Sequence, residues 1–168
     1  MLETRIDQTD LLKSLLTNTN DTNQLSVLYA AWAAVYTTGS KYLKKLVLAV
    51  LSEPLPAQKR DIEFAVARMG VTNPYFVARQ YVDVAAGGSL DALNFTPFSK
   101  LNIDNERAYH HACVAVSLIN SGHMCLRSHV SSLQLANESD TNIDISMRIA
   151  AVCHSLNILG SINPSMAL

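Results

Sequence analysis

Cys125, His129 and His110 carry the residue types and spacing that support thiol chemistry. The segment HHACVAVSLINSGHMCLRSHVSSL reads as a helix, a tight Asn120-Ser121-Gly122 break, and a second helix starting near His123. Asn120 or Ser121 is the expected N-cap of that second helix. Cys125 then falls in its first turn, where free backbone N–H groups and the positive end of the helix dipole favour a thiolate over a thiol. His129 follows one helical turn later on the same face, within reach for proton exchange with the sulfur. The preceding helix runs back antiparallel, so His110 or His111 is expected beside His129. A cysteine activated by a histidine, with a second polar residue orienting that histidine, is the general arrangement of nucleophilic sulfur catalysis.

The same side chains admit a second chemistry. His110, His111, His129 and Cys125 offer imidazoles and a thiolate at spacings compatible with zinc across a helix hairpin. No two-cysteine knuckle accompanies them, so this is the minor alternative, and no metal or cofactor is assigned. The remaining cysteines, Cys113 and Cys153, complete an odd set of three without disulfide-framework spacing, as for thiols kept reduced inside a cell. Cys113 lies two turns before the break, about 10 Å along the helix at roughly 1.5 Å per residue, which makes it a poor disulfide partner for Cys125. Only tertiary packing could bring Cys153 to the site.

SLINSGHMCLRSH resembles the core of the AhpD-like family (alkyl hydroperoxide reductase D, of the carboxymuconolactone decarboxylase-like superfamily). There a similar Ile-Asn turn leads into Cys-x-x-Cys-x-x-x-His, with a glutamate on the helix before. The likeness runs from Arg60 through Met69-Gly70-Val71-Thr72-Asn73 to the final helix and so covers residues 55–160. It implies an all-helical bundle, commonly trimeric or hexameric, whose cysteine pair passes electrons from a lipoylated partner to a peroxiredoxin and shows weak hydroperoxidase activity. Cys125 matches the second cysteine and His129 the histidine. Gly122 stands at the first cysteine, Met124 where a histidine is frequent, and His110 at the glutamate. A dithiol resolves its own mixed disulfide, whereas a lone cysteine waits for an external thiol.

The expectation is therefore a thiol-dependent alkyl hydroperoxidase-like oxidoreductase in antioxidant defence, with one-cysteine chemistry at Cys125, proton movement by His129 and orientation by His110. Its partners would be a hydroperoxide and an external thiol reductant, by resemblance a lipoylated protein or a peroxiredoxin. The alternative is a relative that keeps the fold for assembly or small-ligand binding after losing the cysteine pair.

Helices must position these residues. Apolar residues recur at helical spacing in almost every segment and alternating strand-like runs are missing, which predicts an all-α fold. Helices are expected over 5–17, 22–37, 41–52, 56–69, 73–86, 104–119, 122–137 and 143–158. Pro54 and Pro56 open the fourth, Gly87-Gly88 closes the fifth, and residues 88–103 are the longest irregular stretch. No linker composition interrupts the chain, so residues 1–168 are read as one AhpD-like domain. AVARMGVTNPYF and AVSLINSGHMCL share a helix, a polar break and a new helix, a pattern compatible with two related helix–turn–helix halves.

Composition removes other classes. A net charge of −1 with 16% charged residues leaves no footprint for nucleic acid or an anionic membrane. Low charge with 49% hydrophobic residues leaves apolar area for other copies to cover, which predicts a homo-oligomer. The N-terminus lacks a basic segment leading into an apolar core, and the longest apolar stretch, Leu25 to Tyr36, is shorter than the roughly 20 residues of a spanning helix. A cytoplasmic location is expected. Lys41, Lys44 and Lys45 read as a solvated face, and Gly87-Gly88 lacks the pattern of a phosphate loop.

Overall fold

The helical periodicity is realised as seven α-helices, with no strand among the described residues; the structure, a computed structural model, describes residues 3–162. The helices are α1 (Ile6–Thr17), α2 (Gln24–Thr38), α3 (Lys41–Leu48), α4 (Pro56–Tyr81), α5 (Glu106–Ile119), α6 (His123–Leu135) and α7 (Asp140–Ile162). Short 3₁₀ turns occupy Glu3–Arg5, Asp91–Leu93 and Phe98–Lys100.

α5 is central, touching α2, α4, α6 and α7. α2, and α5 from Ala112 onward, are apolar on nearly every side, which suits helices surrounded by others. Tyr29, Trp32 and the intervening alanines are fully buried, as are Ala112, Cys113 and Val116. The Leu25 to Tyr36 stretch is thus a core helix. Among the described residues α7 is long and apolar enough, by length and composition alone, to cross a bilayer, a test that the core helix of a globular protein also passes. Here it lays Ile149, Ala150, Cys153 and Leu156 into the core.

The expected break between helices at 56–69 and 73–86 does not occur. Pro74 sits inside a continuous α4 and removes one backbone donor, but the turn at Gly70 is exposed, so the freed carbonyl can be hydrated. Met69, Thr72 and Asn73 are buried on one face, and that packing outweighs the local signal. α4 then stops at Tyr81, before Gly87-Gly88. The two segments read as a repeat consequently differ: the first is one helix, and only the second is helix–turn–helix.

Residues 82–105 form the long irregular segment, mostly exposed yet tied down along α4 by three arginines. Arg60 donates to the Leu101 and Asn102 carbonyls, Arg68 to Thr96, and Arg79 to Val84 and Ala86. At the far end, buried Asp61 accepts from the Asp104 and Asn105 backbone N–H groups at 3.0 and 3.2 Å and from the Tyr29 hydroxyl at 3.0 Å. The Asn105 side chain then caps α5 through the Ala108 N–H at 2.8 Å.

Candidate thiol site

The α5–α6 turn sets the register of every site residue. Gly122 N–H reaches the Ser117 carbonyl at 2.7 Å and Ser121 N–H the Leu118 carbonyl at 3.1 Å, with Ser121 left-handed at φ 57°. This is the Schellman closure, with serine where glycine is usual. Gly122 itself is the N-cap of α6, and no side chain caps that helix. The expected caps, Asn120 and Ser121, are used otherwise: Ser121 turns the chain, and the Asn120 amide donates to Asn73 Oδ1 at 3.3 Å.

Gly122 is needed for space and not for its backbone angle, which is an ordinary φ of −83°. A Cβ built there would lie 2.3 Å from the Asn73 amide group and 2.6 Å from Asn73 Cβ. Asn73 is fixed in that volume by donating to Ser117 Oγ at 3.1 Å, by the Met69 sulfur at 3.8 Å and by near-complete burial. Where the resemblance would put a first cysteine, this chain packs an asparagine from α4 against a glycine.

Cys125 is the third residue of α6, in the first turn as expected, and is 8% exposed. It lines a cavity of about 450 Å³ between α4, α5, α6 and the 82–105 segment. His129, His110, Ser128 and Tyr109 share that wall, while Phe76, Phe95, Phe98, Leu90 and Met124 make the cavity largely apolar. A separate concavity of about 480 Å³ over Gly70 and Pro74 has no cysteine or histidine in its lining.

His110 and His129 meet across the hairpin, Nδ1 to Nδ1, at 2.9 Å. Burial first, and then the His110 neighbour, lowers the His129 pKa from 6.5 to about 4. Burial also lowers His110, against an opposing pull from Glu106. Both imidazoles are therefore neutral at pH 7, and one Nδ1–H must donate to the other. Glu106 selects the direction. Its carboxylate lies 3.7 Å from His110 Nε2, which favours a proton on that nitrogen. His110 Nδ1 then accepts from His129 Nδ1–H, leaving His129 Nε2 unprotonated and able to take a proton. No hydrogen bond joins Cys125 to His129 in this arrangement; the two are one turn apart on α6.

His111 points the other way. It is fully buried, with Nδ1 2.8 Å from Ser146 Oγ and Nε2 3.4 Å from Glu138. The proposed zinc set loses this member, and no group of three or more His, Cys, Asp or Glu side chains among the described residues converges on a metal position.

Cys113 is buried behind the cavity wall at Tyr109. Burial raises its thiol far above the usual range, and the Cys125 charge raises it further. Burial alone pushes Cys153 up to about 12, and it lies in α7, outside the cavity lining. All three cysteines are free. The sequence reading did not single out Glu106, Asn73 or Arg68. Glu106 was within reach, since Glu106 and His110 are spaced one helical turn apart; Asn73 and Arg68 join the site through tertiary packing alone.

The fold and site thus define an all-helical bundle with a hairpin-mounted cysteine and histidine pair beside an apolar cavity. No protein-family model matches the chain, and no curated protein matches it.

Proposed function

We propose that this chain is an AhpD-like, thiol-dependent hydroperoxidase acting in antioxidant defence through Cys125 alone. The observation that carries the reading is the place of Cys125: it is the one cysteine among the three that lines the cavity, in the first turn of α6 and one turn from an uncharged imidazole with a free nitrogen. The thiol passes its proton to His129 Nε2, and the sulfur attacks the terminal oxygen of a hydroperoxide. An S–O bond forms as the O–O bond breaks; the alkoxide takes the proton from His129 and leaves as an alcohol. Cys125 is now a sulfenic acid. One external thiol condenses with it, releasing water and leaving a mixed disulfide; a second thiol attacks that disulfide and restores Cys125.

By resemblance, the external thiols come from a lipoylated protein or belong to a peroxiredoxin exchange. The reading places the protein in the cytoplasm as a homo-oligomer, a trimer or hexamer by that resemblance. The decisive experiment is intact-mass measurement after a brief hydroperoxide challenge. The expected result is one added oxygen on Cys125 and peroxide consumption that Cys125→Ser loses. An unmodified Cys125, with consumption unchanged in Cys125→Ser, ends the proposal.

The packing of Asn73 on Gly122 favours a second reading, a relative retained for assembly or ligand binding, because the missing sulfur's space has been refilled. Gly122→Cys alone then cannot rebuild a dithiol without displacing Asn73. If the wild type is inert and Gly122→Cys with Asn73→Ala acquires thiol turnover, this second reading holds; robust turnover by the wild type excludes it.

A further inference from the structure

Arg68 is the one formally charged side chain in the wall of the Cys125 cavity. It forms no ion pair with a carboxylate among the described residues. Arg60 and Arg79 each spend two nitrogens on two loop carbonyls, so their forks are engaged by the 82–105 segment. Arg68 spends only Nη2, on Thr96, and its guanidinium lies over the Phe95 ring at 5.2 Å. Nε and Nη1 have no hydrogen-bond acceptor among the described residues. A guanidinium carries five N–H donors whose planar fork matches a carboxylate. The guanidinium keeps contact with solvent and carries no counter-ion, so its unengaged donors are open to an anion entering the cavity, where a charge-assisted pair is stronger than a neutral one.

The rest of the cavity says what the anion is attached to. Phe76, Phe95, Phe98, Leu90 and Met124 offer aromatic and thioether surface, which takes hydrocarbon and not a second charge. A volume of about 450 Å³ holds a small organic molecule and excludes a folded partner. We propose that this cavity binds an apolar monocarboxylic acid, with the carboxylate on Arg68 and the hydrocarbon body against the aromatic wall. The proposal deepens the peroxidase reading: the substrate is then the hydroperoxide of such an acid, presented to Cys125 on α6 by an anchor on α4. Binding itself makes no use of the thiol.

The test is calorimetric titration of the full chain with decanoate and with decanol below their aggregation limits, the ratio of the two affinities being the readout. Wild type prefers decanoate by roughly tenfold or more, the worth of a charge-assisted hydrogen bond. Arg68→Gln loses that preference while still binding decanol, and Arg68→Lys, which keeps the charge, retains part of it. A wild-type protein indifferent to the carboxylate, or an Arg68→Gln ratio equal to wild type, overturns the proposal. So does loss of all binding in both variants, which makes Arg68 a loop anchor only. Decanoate binding by a protein whose Cys125 resists hydroperoxide removes the peroxidase reading and leaves the acid site standing.

Discussion

His110 and His111 are adjacent on α5, yet they face two different environments. His110 turns toward α6 and the cavity, where it meets His129 at 2.9 Å and is reached from solvent by Glu106, itself well exposed. His111 turns toward α7, sealed between Ser146 and Glu138, with Glu138 further held by the Asn142 amide at 2.8 Å and the Ser139 N–H at 3.0 Å. A serine, a histidine and a glutamate in sequence of contact would suggest nucleophilic catalysis on composition alone. Here Ser146 and His111 are both fully buried, and neither lines the Cys125 cavity. The same residue types thus build a site where the Cys125 cavity touches them and a structural clamp where it does not. The clamp also fastens the end of the α6 turn, since the Glu138 N–H closes a second Schellman turn on the Leu133 carbonyl at 2.9 Å.

That contrast predicts opposite phenotypes for two histidine substitutions. His129→Ala removes the proton acceptor and should lower hydroperoxide turnover about a hundredfold or more, the usual scale for a positioned general base. Its fold should persist, because His129 lines a cavity and is not part of the close-packed core. His111→Ala should cost about 3 kcal/mol of stability, since it opens a cavity and strips a buried carboxylate of a partner. Its turnover per folded molecule should stay near wild type. Denaturant titration beside initial rates separates the two; a His111 variant that is stable and inactive would erase the distinction.

Acid sharpens the comparison further. Burial lowers His111 and His129 in the folded state, so between pH 6.5 and the lower folded values the unfolded chain binds protons that the native chain does not. Stability must therefore fall as pH drops below 6.5, on the His129 side until about 4. Glu138 has a lowered pKa, the Asn142, Ser139 and His111 hydrogen bonds outweighing burial, so its contribution is present above 4.5 and is lost as pH falls through its folded value. His129→Gln should reduce the slope of the unfolding free energy between pH 6.5 and 4, while Glu138→Gln should remove the loss that begins at 4.5 and, by taking away the charge that holds the His111 pKa up, leave the histidine part at least as large. Parallel curves for wild type and His129→Gln would contradict the buried, uncharged imidazole.

Much of this was legible in the sequence where the determinants are local. Cys125 in the first turn of α6, and a histidine of α5 beside His129, follow from helical spacing and a short antiparallel hairpin; that it is His110 and not His111 is decided by packing. The all-helical fold follows from apolar periodicity. The break expected near Gly70 and Pro74 was wrong because burial of Met69 and Asn73 against Ser117 holds α4 together, and that contact joins residues far apart in the chain. Gly122 reads as a turn glycine or a lost cysteine until Asn73 is seen in its space. Phe95 and Phe98 of the 82–105 segment come to the cavity where three arginines of α4, Arg68 among them, hold that segment against the helix.

The smallest expected effect tests how the imidazole pair is set. Glu106 touches neither substrate nor sulfur in this scheme; it acts only by keeping the His110 proton on Nε2, so that His129 presents a lone pair. Glu106→Gln keeps an acceptor oxygen near His110 but removes the charge, and exposed charge pairs are worth about 0.2–1 kcal/mol. Turnover should therefore fall only a few-fold, with no measurable change in unfolding free energy. The diagnostic readout is nitrogen chemical shifts of the two rings, since a structural role alone leaves the tautomer populations unmoved. In wild type His129 should carry its proton on Nδ1, and Glu106→Gln should mix the two forms. Protonation of His129 on Nε2 in the wild type would reverse the donor order, and Glu106 would then have no part in preparing the site.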